Sequence, residues 1–253
     1  MPLWALLLGV FVLVLLAVEG GYRLGKVARR ADDSGDSPLG EMIAATLGLL
    51  AFLLAFTFSL AASRYDTRRQ LLLDEANAIG TTWLRAGLLP EGGDEIRALL
   101  RQYTDIRLQA PRSGRLQDSI RRSEELQTLL WERATPIARR NENPLMVGLF
   151  IQSLNELIDL HAKRLTASVR NRIPLSIWGA LYSVTVLSFA ALGYHAGLVR
   201  ARRSLAIVPV AFTFAVVMGL IADLDRPQEG TLTVGQEPLI ELRKSMGDAV
   251  PGP

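Results

Sequence analysis

One stretch constrains this chain more than any other. From Glu41 the sequence reads EMIAATLGLLAFLLAFTFSLAAS, an apolar run long enough to cross a bilayer, which takes about 20 residues. It passes without a Gly or Pro break into RYDTRRQLLLDEANAIGTTWLRAGLL. The pattern predicts one continuous helix, half in lipid and half in water, ending near Leu89 before Pro90 and the Gly92–Gly93 pair. At about 100° per residue, Glu41, Ala45, Gly48, Phe52, Phe56, Ser59, Ser63, Asp66, Gln70, Asp74, Asn77 and Thr81 share one narrow stripe. The stripe is small, polar or acidic, with two Phe near its middle, and Arg64, Arg68 and Arg69 lie on other faces. Lipid selects an apolar face. This face suits water inside an oligomer.

Three further apolar runs, Pro2–Val18, Ile173–Val199 and Ser204–Ala222, join Met42–Ser63 as expected spans. A charge at a span centre costs about 2.5–3.5 kcal/mol, and these runs hold almost none. The expectation is an all-α integral membrane protein with four spans and the lipid bilayer as its first partner. The pI of about 9.5 does not argue for nucleic acid, because the bases are interleaved with acids and gather near span ends. The chain has no cysteine, which excludes disulfides and thiolate chemistry. The first run lacks a basic leader and ends in AVEGGYRLGKVARR, so it reads as a retained anchor rather than a cleaved signal peptide.

The expected organisation is residues 1–63 for spans one and two, 64–172 for a soluble helical stalk continuous with spans two and three, 173–222 for spans three and four, and 223–253 for a turn and docking segment. In the first loop, Gly20–Gly40, Arg23, Lys26, Arg29 and Arg30 precede the acidic turn ADDSGDSP. Glu41 serves either as a mouth charge on the stripe or as a favourable acid at a helix N-terminus. Within the stalk, Ile96, Leu99, Leu100, Tyr103 and Ile106 recur at helical spacing, as do Leu126, Leu129, Leu130 and Ile137. Pro111 and Gly114 separate these helices, and Pro136 is expected to kink the second. A third helix starts at Pro144 and runs towards span three, with Pro174 at the junction. In span three, Gly193 and Gly197 form a G-x-x-x-G, which permits close helix approach. Pro209 is expected to kink span four. After it, DLDRPQEG reads as a helix stop, and Leu239, Ile240 and Leu242 offer a docking face.

Enzyme chemistry has no foothold here. The two histidines, His161 and His195, are far apart and form no metal-ligand pair, so no metal or other cofactor is expected. His195 stands either as a pH sensor or as an ordinary interface residue. There is no phosphate-binding loop and no nucleophile elbow. Asp74 and Glu75 are adjacent and face different sides of a helix, so they make no catalytic pair.

The segment RYDTRRQLLLDEANAIGTTWLRAGLLP, followed by IRALLRQYTDIRL, resembles the bacterial bestrophin-like membrane proteins. Their other hallmark is matched by DLDRPQEG and EPLIEL, and the resemblance covers nearly the whole chain. The residues that carry it are Glu75, Asn77 and Gly80 in the long helix, and Asp223, Asp225, Arg226, Pro227 and Gly230 after span four. Bestrophins proper are more distantly similar. The resemblance implies a homo-oligomeric ion channel, typically a pentamer, with four spans, a soluble helical region between spans two and three, and a pore lined by span two. Phe52 and Phe56 are similar to the apolar neck of those channels, and Pro238-Leu239 to a later Leu-Pro-Leu. Two departures stand out. Gln228 replaces the aromatic of the family turn, and Asp223, Asp225 and Glu229 are too sparse for a calcium clasp, since calcium takes six to eight oxygens.

Two functions follow. In the first, Phe52 and Phe56 make a dewetting constriction, while rings of Glu41, Asp66 and Asp74 favour cations, sodium among them. The pore-lining polar set is Glu41, Ser59, Ser63, Asp66, Gln70, Asp74 and Asn77. Ordinary packing is the other reading of the two Phe, and solvated surface or pairing with Arg68 and Arg69 that of the two Asp. In the second, the chain is a non-conducting scaffold or sensor whose helical domain binds a partner. A transporter would need an inverted repeat or a broken span, and neither is visible. Either role fits a bacterial inner membrane. Short basic loops place the helical domain outside, whereas the resemblance implies a cytoplasmic one.

Overall fold

The computed structural model describes residues 2–31, 39–110, 116–140, 143–167, 172–199, 205–226 and 230–247. The regular elements among them are eight α-helices: α1 (Leu3–Ala31), α2 (Leu39–Ala86), α3 (Gly93–Gln109), α4 (Leu116–Arg140), α5 (Pro144–Leu165), α6 (Leu175–Leu198), α7 (Ile207–Asp225) and α8 (Glu237–Ser245). Four of these, α1, α2, α6 and α7, are long and apolar enough to cross a membrane. The chain forms two compact units, one of Met1–Tyr65 with Arg172–Thr233 and one of Asp66–Asn171 with Val234–Pro253.

The first unit holds α1, α6, α7 and the apolar part of α2. Its core joins Val10, Val14, Leu50, Leu54, Leu181, Phe189, Ala215, Met218 and Ile221. Trp4, Leu8, Leu16, Leu187 and Phe212 stay exposed on the outside. Apolar surface of that extent suits cover by lipid or by another protein.

What holds α1 on α6 is glycine. The sequence suggests a loop from Gly20, yet α1 continues as helix to Ala31. The reason is a reciprocal crossing. A Cβ on Gly21 would strike the carbonyl oxygen of Ala190, and one on Gly25 that of Tyr194. From the other side, a Cβ on Gly193 would strike the carbonyl of Val18, and one on Gly197 that of Tyr22. Both helices thus carry a G-x-x-x-G, and the backbones touch where side chains would otherwise separate them.

One proline expectation changes. Pro209 lies in the first turn of α7, which begins at Ile207. There the missing N–H would have had no intrahelical partner, so no kink is required. Pro136 lies inside α4, which continues through it to Arg140. A second expectation also changes: α5 and α6 are separate helices, and Arg172–Pro174 is not helical. Pro174 sits at the N-cap of α6 with φ −55° and ψ 142°, and the residue before a proline is pushed out of the α region.

The second unit packs the polar part of α2 with α3, α4, α5 and α8. Its core is formed by Ile79, Ile96, Leu100, Tyr103, Leu130, Phe150, Leu154, Leu157 and Leu239. α2 ends at Ala86 in a tight turn, with the N–H groups of Gly87, Leu88 and Leu89 bonded three residues back. α3 starts behind Gly92, whose φ of 74° only glycine adopts readily. Asn143 caps α5, its side chain accepting from the Met146 N–H, with Pro144 at the first position. The last helix docks as its apolar residues suggest. Leu239 and Met246 are buried, Arg101 donates twice to the Met246 carbonyl at 2.9 and 3.2 Å, and Arg243 pairs with Asp105 at 2.7 Å.

Candidate functional site

α2 has two unlike faces. Ile43, Leu50, Leu54, Thr57, Ala61, Arg68, Leu72, Glu75, Ile79, Thr82 and Ala86 are buried. The stripe from Glu41 to Thr81 lies on the opposite side, and it is exposed throughout except for half-buried Asp74. Phe52 and Phe56 are 67% and 62% exposed, so neither packs inside its own subunit. Gln70 donates to Asp74 at 2.9 Å. Glu41, Ser59, Ser63, Asp66 and Asn77 are exposed on the same side.

Behind the stripe, Glu75 is fully buried at 0% exposure. Both of its oxygens are used. Oε1 accepts from the Tyr103 hydroxyl at 3.0 Å and pairs with Arg107 Nε at 3.0 Å. Oε2 accepts from Arg107 Nη2 at 3.4 Å and from Arg164 Nη1. His161 Nδ1 stands 3.0 Å from the Tyr103 hydroxyl and 3.9 Å from Oε1, and Gln127 Nε2 donates to the same hydroxyl at 3.3 Å. One hydroxyl has one proton. If Tyr103 gives it to Glu75, His161 must donate from Nδ1. Residues from α3 and α5 therefore meet at one carboxylate of α2, and Gln127 of α4 joins them through Tyr103. Glu75 lies well past the apolar run, in the second unit. Burial by itself would raise its pKa. The charge on Arg107, the neighbouring His161 and the charge on Arg164 together outweigh this and hold the carboxyl well below the usual carboxylate range. Burial, then the charge of Glu75, pushes the Tyr103 phenol up.

Gly80, one turn further on, has a packing role. A Cβ there would lie 3.1 Å from Leu242 Cδ1, so glycine lets α8 settle against α2.

The residues after α7 form a clamp. Asp223 accepts from the Thr231 N–H at 2.9 Å, the Leu232 N–H at 3.3 Å and the Thr231 hydroxyl. A Cβ on Gly230 would collide with the Asp223 carboxylate, which accounts for glycine at that position. Asp225 accepts from the Ile173 N–H at 2.9 and 3.2 Å and pairs with Arg64 at 3.7 Å. Arg226 ends α7 in an extended conformation. Pro227, like Gln228 and Glu229, lies outside the described residues. His195 is half-buried near the end of α6, with Nε2 3.9 Å from where a Cβ on Gly40 would stand.

A family model described as the bestrophin-like domain matches residues 8–239. The chain belongs to the bestrophin-like family. Among curated proteins, none matches this bestrophin-like chain. Of solved structures, it is similar to a bacterial bestrophin homologue from Klebsiella pneumoniae carrying a point mutation. That likeness has a TM-score of 0.64 at 16% identity, over 97% of this chain and 99% of the other. It is a likeness of fold: all-helical, bestrophin-like, with four candidate spans.

In this bestrophin-like chain five of the motif residues have contacts within the fold. Glu75, Gly80, Asp223, Asp225 and Gly230 each make or permit a specific contact. Asp225→Ala would strip the Ile173 N–H and Arg64 of their acceptor. It is expected to cost roughly 1.5–3 kcal/mol, the range for hydrogen bonds to a charged group, read as a lower melting temperature in detergent. Tyr103, Arg107, Gln127, His161 and Arg164 do not stand out as a set in the sequence. The available signal is that Arg107 and Arg164 fall on otherwise apolar helix faces, where a charge needs a partner.

Proposed function

We propose that the chain is a homo-oligomeric, cation-favouring ion channel of a bacterial inner membrane, its pore lined by the exposed stripe of α2. One observation carries this reading. The stripe from Glu41 to Thr81 is uncovered while the opposite face of α2 is buried. Its small, polar and acidic residues are ones that lipid does not select. Bestrophins, which this chain resembles, are ion channels, and a pentamer is the assembly their example suggests. Repeated about an axis, Phe52 and Phe56 form an apolar constriction that gates by dewetting, and Glu41, Asp66 and Asp74 form carboxylate rings. No base shares the stripe, so the rings favour cations, with sodium a permeant ion.

The test is reconstitution and measurement of reversal potential in a sodium chloride gradient. Asp66→Asn with Asp74→Asn is expected to lower the cation-to-anion permeability ratio about tenfold, at the low end of what charge focusing in a cleft produces. An unchanged ratio overturns the assignment of the rings. Absence of flux from intact oligomers at every pH overturns the channel and favours a non-conducting scaffold whose helical domain binds a partner.

A further inference from the structure

Within the second unit, the face of α2 that packs inward includes Ala76, Ala78 and Ile79. Ala76 and Ala78 are both buried although they lie about 200° apart around the helix. Methyl groups spread that widely make a smooth contact, and apolar burial has no direction. Leu72, Ile79 and Thr82 are buried on the same helix, and such packing fixes its rotation through shape alone. Glu75 adds directional contacts to that shape. Its two oxygens are engaged from α3 by Tyr103 and Arg107 and from α5 by Arg164. Tyr103 is itself held by His161 and Gln127. These contacts have short distances and set angles, so turning α2 by one residue would break all of them. With Glu75 inside, Asn77 lies about 200° away and is exposed, and half-buried Asp74 lies about 100° away at the edge of the buried face.

We infer that Glu75 is a positioning residue for the pore helix, securing, together with that packing, the rotation that brings Asp74 and Asn77, rather than Ala76 or Ala78, to the shared axis. The inference rests on the pore reading above. It assigns to a buried residue, with no access to the conduction path, a share in deciding which side chains line that path.

The chain has no cysteine, so single cysteines serve as reporters. Asn77→Cys and Ala78→Cys are made in the full-length protein, and assembled oligomers are treated with bifunctional thiosulfonate reagents of increasing length. Crosslinking between copies is expected at position 77 and not at 78. In the Glu75→Gln background the ratio of the two crosslinking rates is expected to fall about tenfold, as α2 samples other rotations once its directional anchor is gone. An unchanged ratio in assembled Glu75→Gln oligomers overturns the inference, because a purely stabilising residue would lower yield without moving the face. If Glu75→Gln does not assemble, Arg164→Gln replaces it. That variant keeps the Arg107 pair and is expected to move the ratio about threefold, with no movement again overturning the inference. No crosslinking at 77 in intact wild-type oligomers overturns the pore reading instead.

Discussion

Gly21→Ala is expected to unseat α1 from α6, while Gly20→Ala, one residue away, is expected to be tolerated. A methyl on Gly21 meets the Ala190 carbonyl, which is backbone and cannot swing aside, whereas a methyl on Gly20 meets nothing within 4 Å. Overpacking a well-filled contact costs typically about 1–3 kcal/mol and occasionally more. With main chain on both sides the cost belongs at or above the top of that range. Gly193→Ala probes the same crossing from α6, where the obstacle is the Val18 carbonyl. The Gly20 variant gains helix propensity, about 0.5–1 kcal/mol in an interior position. Thermal melts in detergent separate the pair. If Gly20 and Gly21 variants melt alike, the glycine crossing does not hold the first unit together.

Glu75→Ala carries the second large effect. It leaves Arg107 and Arg164 without their shared carboxylate, with Arg107 only 6% exposed. Breaking a buried pair from one side costs about 3–5 kcal/mol, since the remaining charge stays desolvated. The same carboxylate gives the second unit a defined acid response. Its folded pKa lies below its unfolded value, which is about 4.3 for glutamate. The contribution is therefore complete above that pH and is lost progressively as pH falls further towards the folded value. Helicity melts from pH 6 to pH 3 are expected to show the wild type losing stability below about pH 4.3 faster than Glu75→Gln does. Parallel curves for the two proteins would mean that Glu75 is not the ionised hub described here.

Much of the helix pattern was legible in the chain. Hydropathy marked the four apolar runs, and a period of 3.6 residues placed Glu41 through Thr81 on one face of α2. Apolar spacing marked α3 and α4 as helices, and Leu239, Ile240 and Leu242 of α8 as a docking face. Boundaries read less well. α1 runs on to Ala31 through Gly20 and Gly21, α5 and α6 are separate helices, and Pro209 lies in the first turn of α7, where no kink is required. For α1 the deciding contacts come from a distant part of the chain, Ala190 for Gly21 and Tyr194 for Gly25, whereas Pro174 and Pro209 act locally. The candidate stripe is a property of one helix and so can be read locally. The Glu75 knot is drawn from four helices, and no spacing rule connects Glu75 with Tyr103, Gln127, His161 and Arg164.

The order of the residues alone determined that this chain builds long helices, that four of them suit lipid, and that α2 carries one stripe of small, polar and acidic residues with two Phe near its middle. Those features follow from hydrophobicity and helical period, which act between near neighbours. The tertiary structure decided which glycines touch, which carboxylates are buried, and which side of α2 is left uncovered. Those outcomes depend on backbone approach and on charge pairing across more than 80 residues of sequence, as between Glu75 and Arg164. Only the folded chain brings such groups within reach, because a buried charge is stable only where its partners already stand.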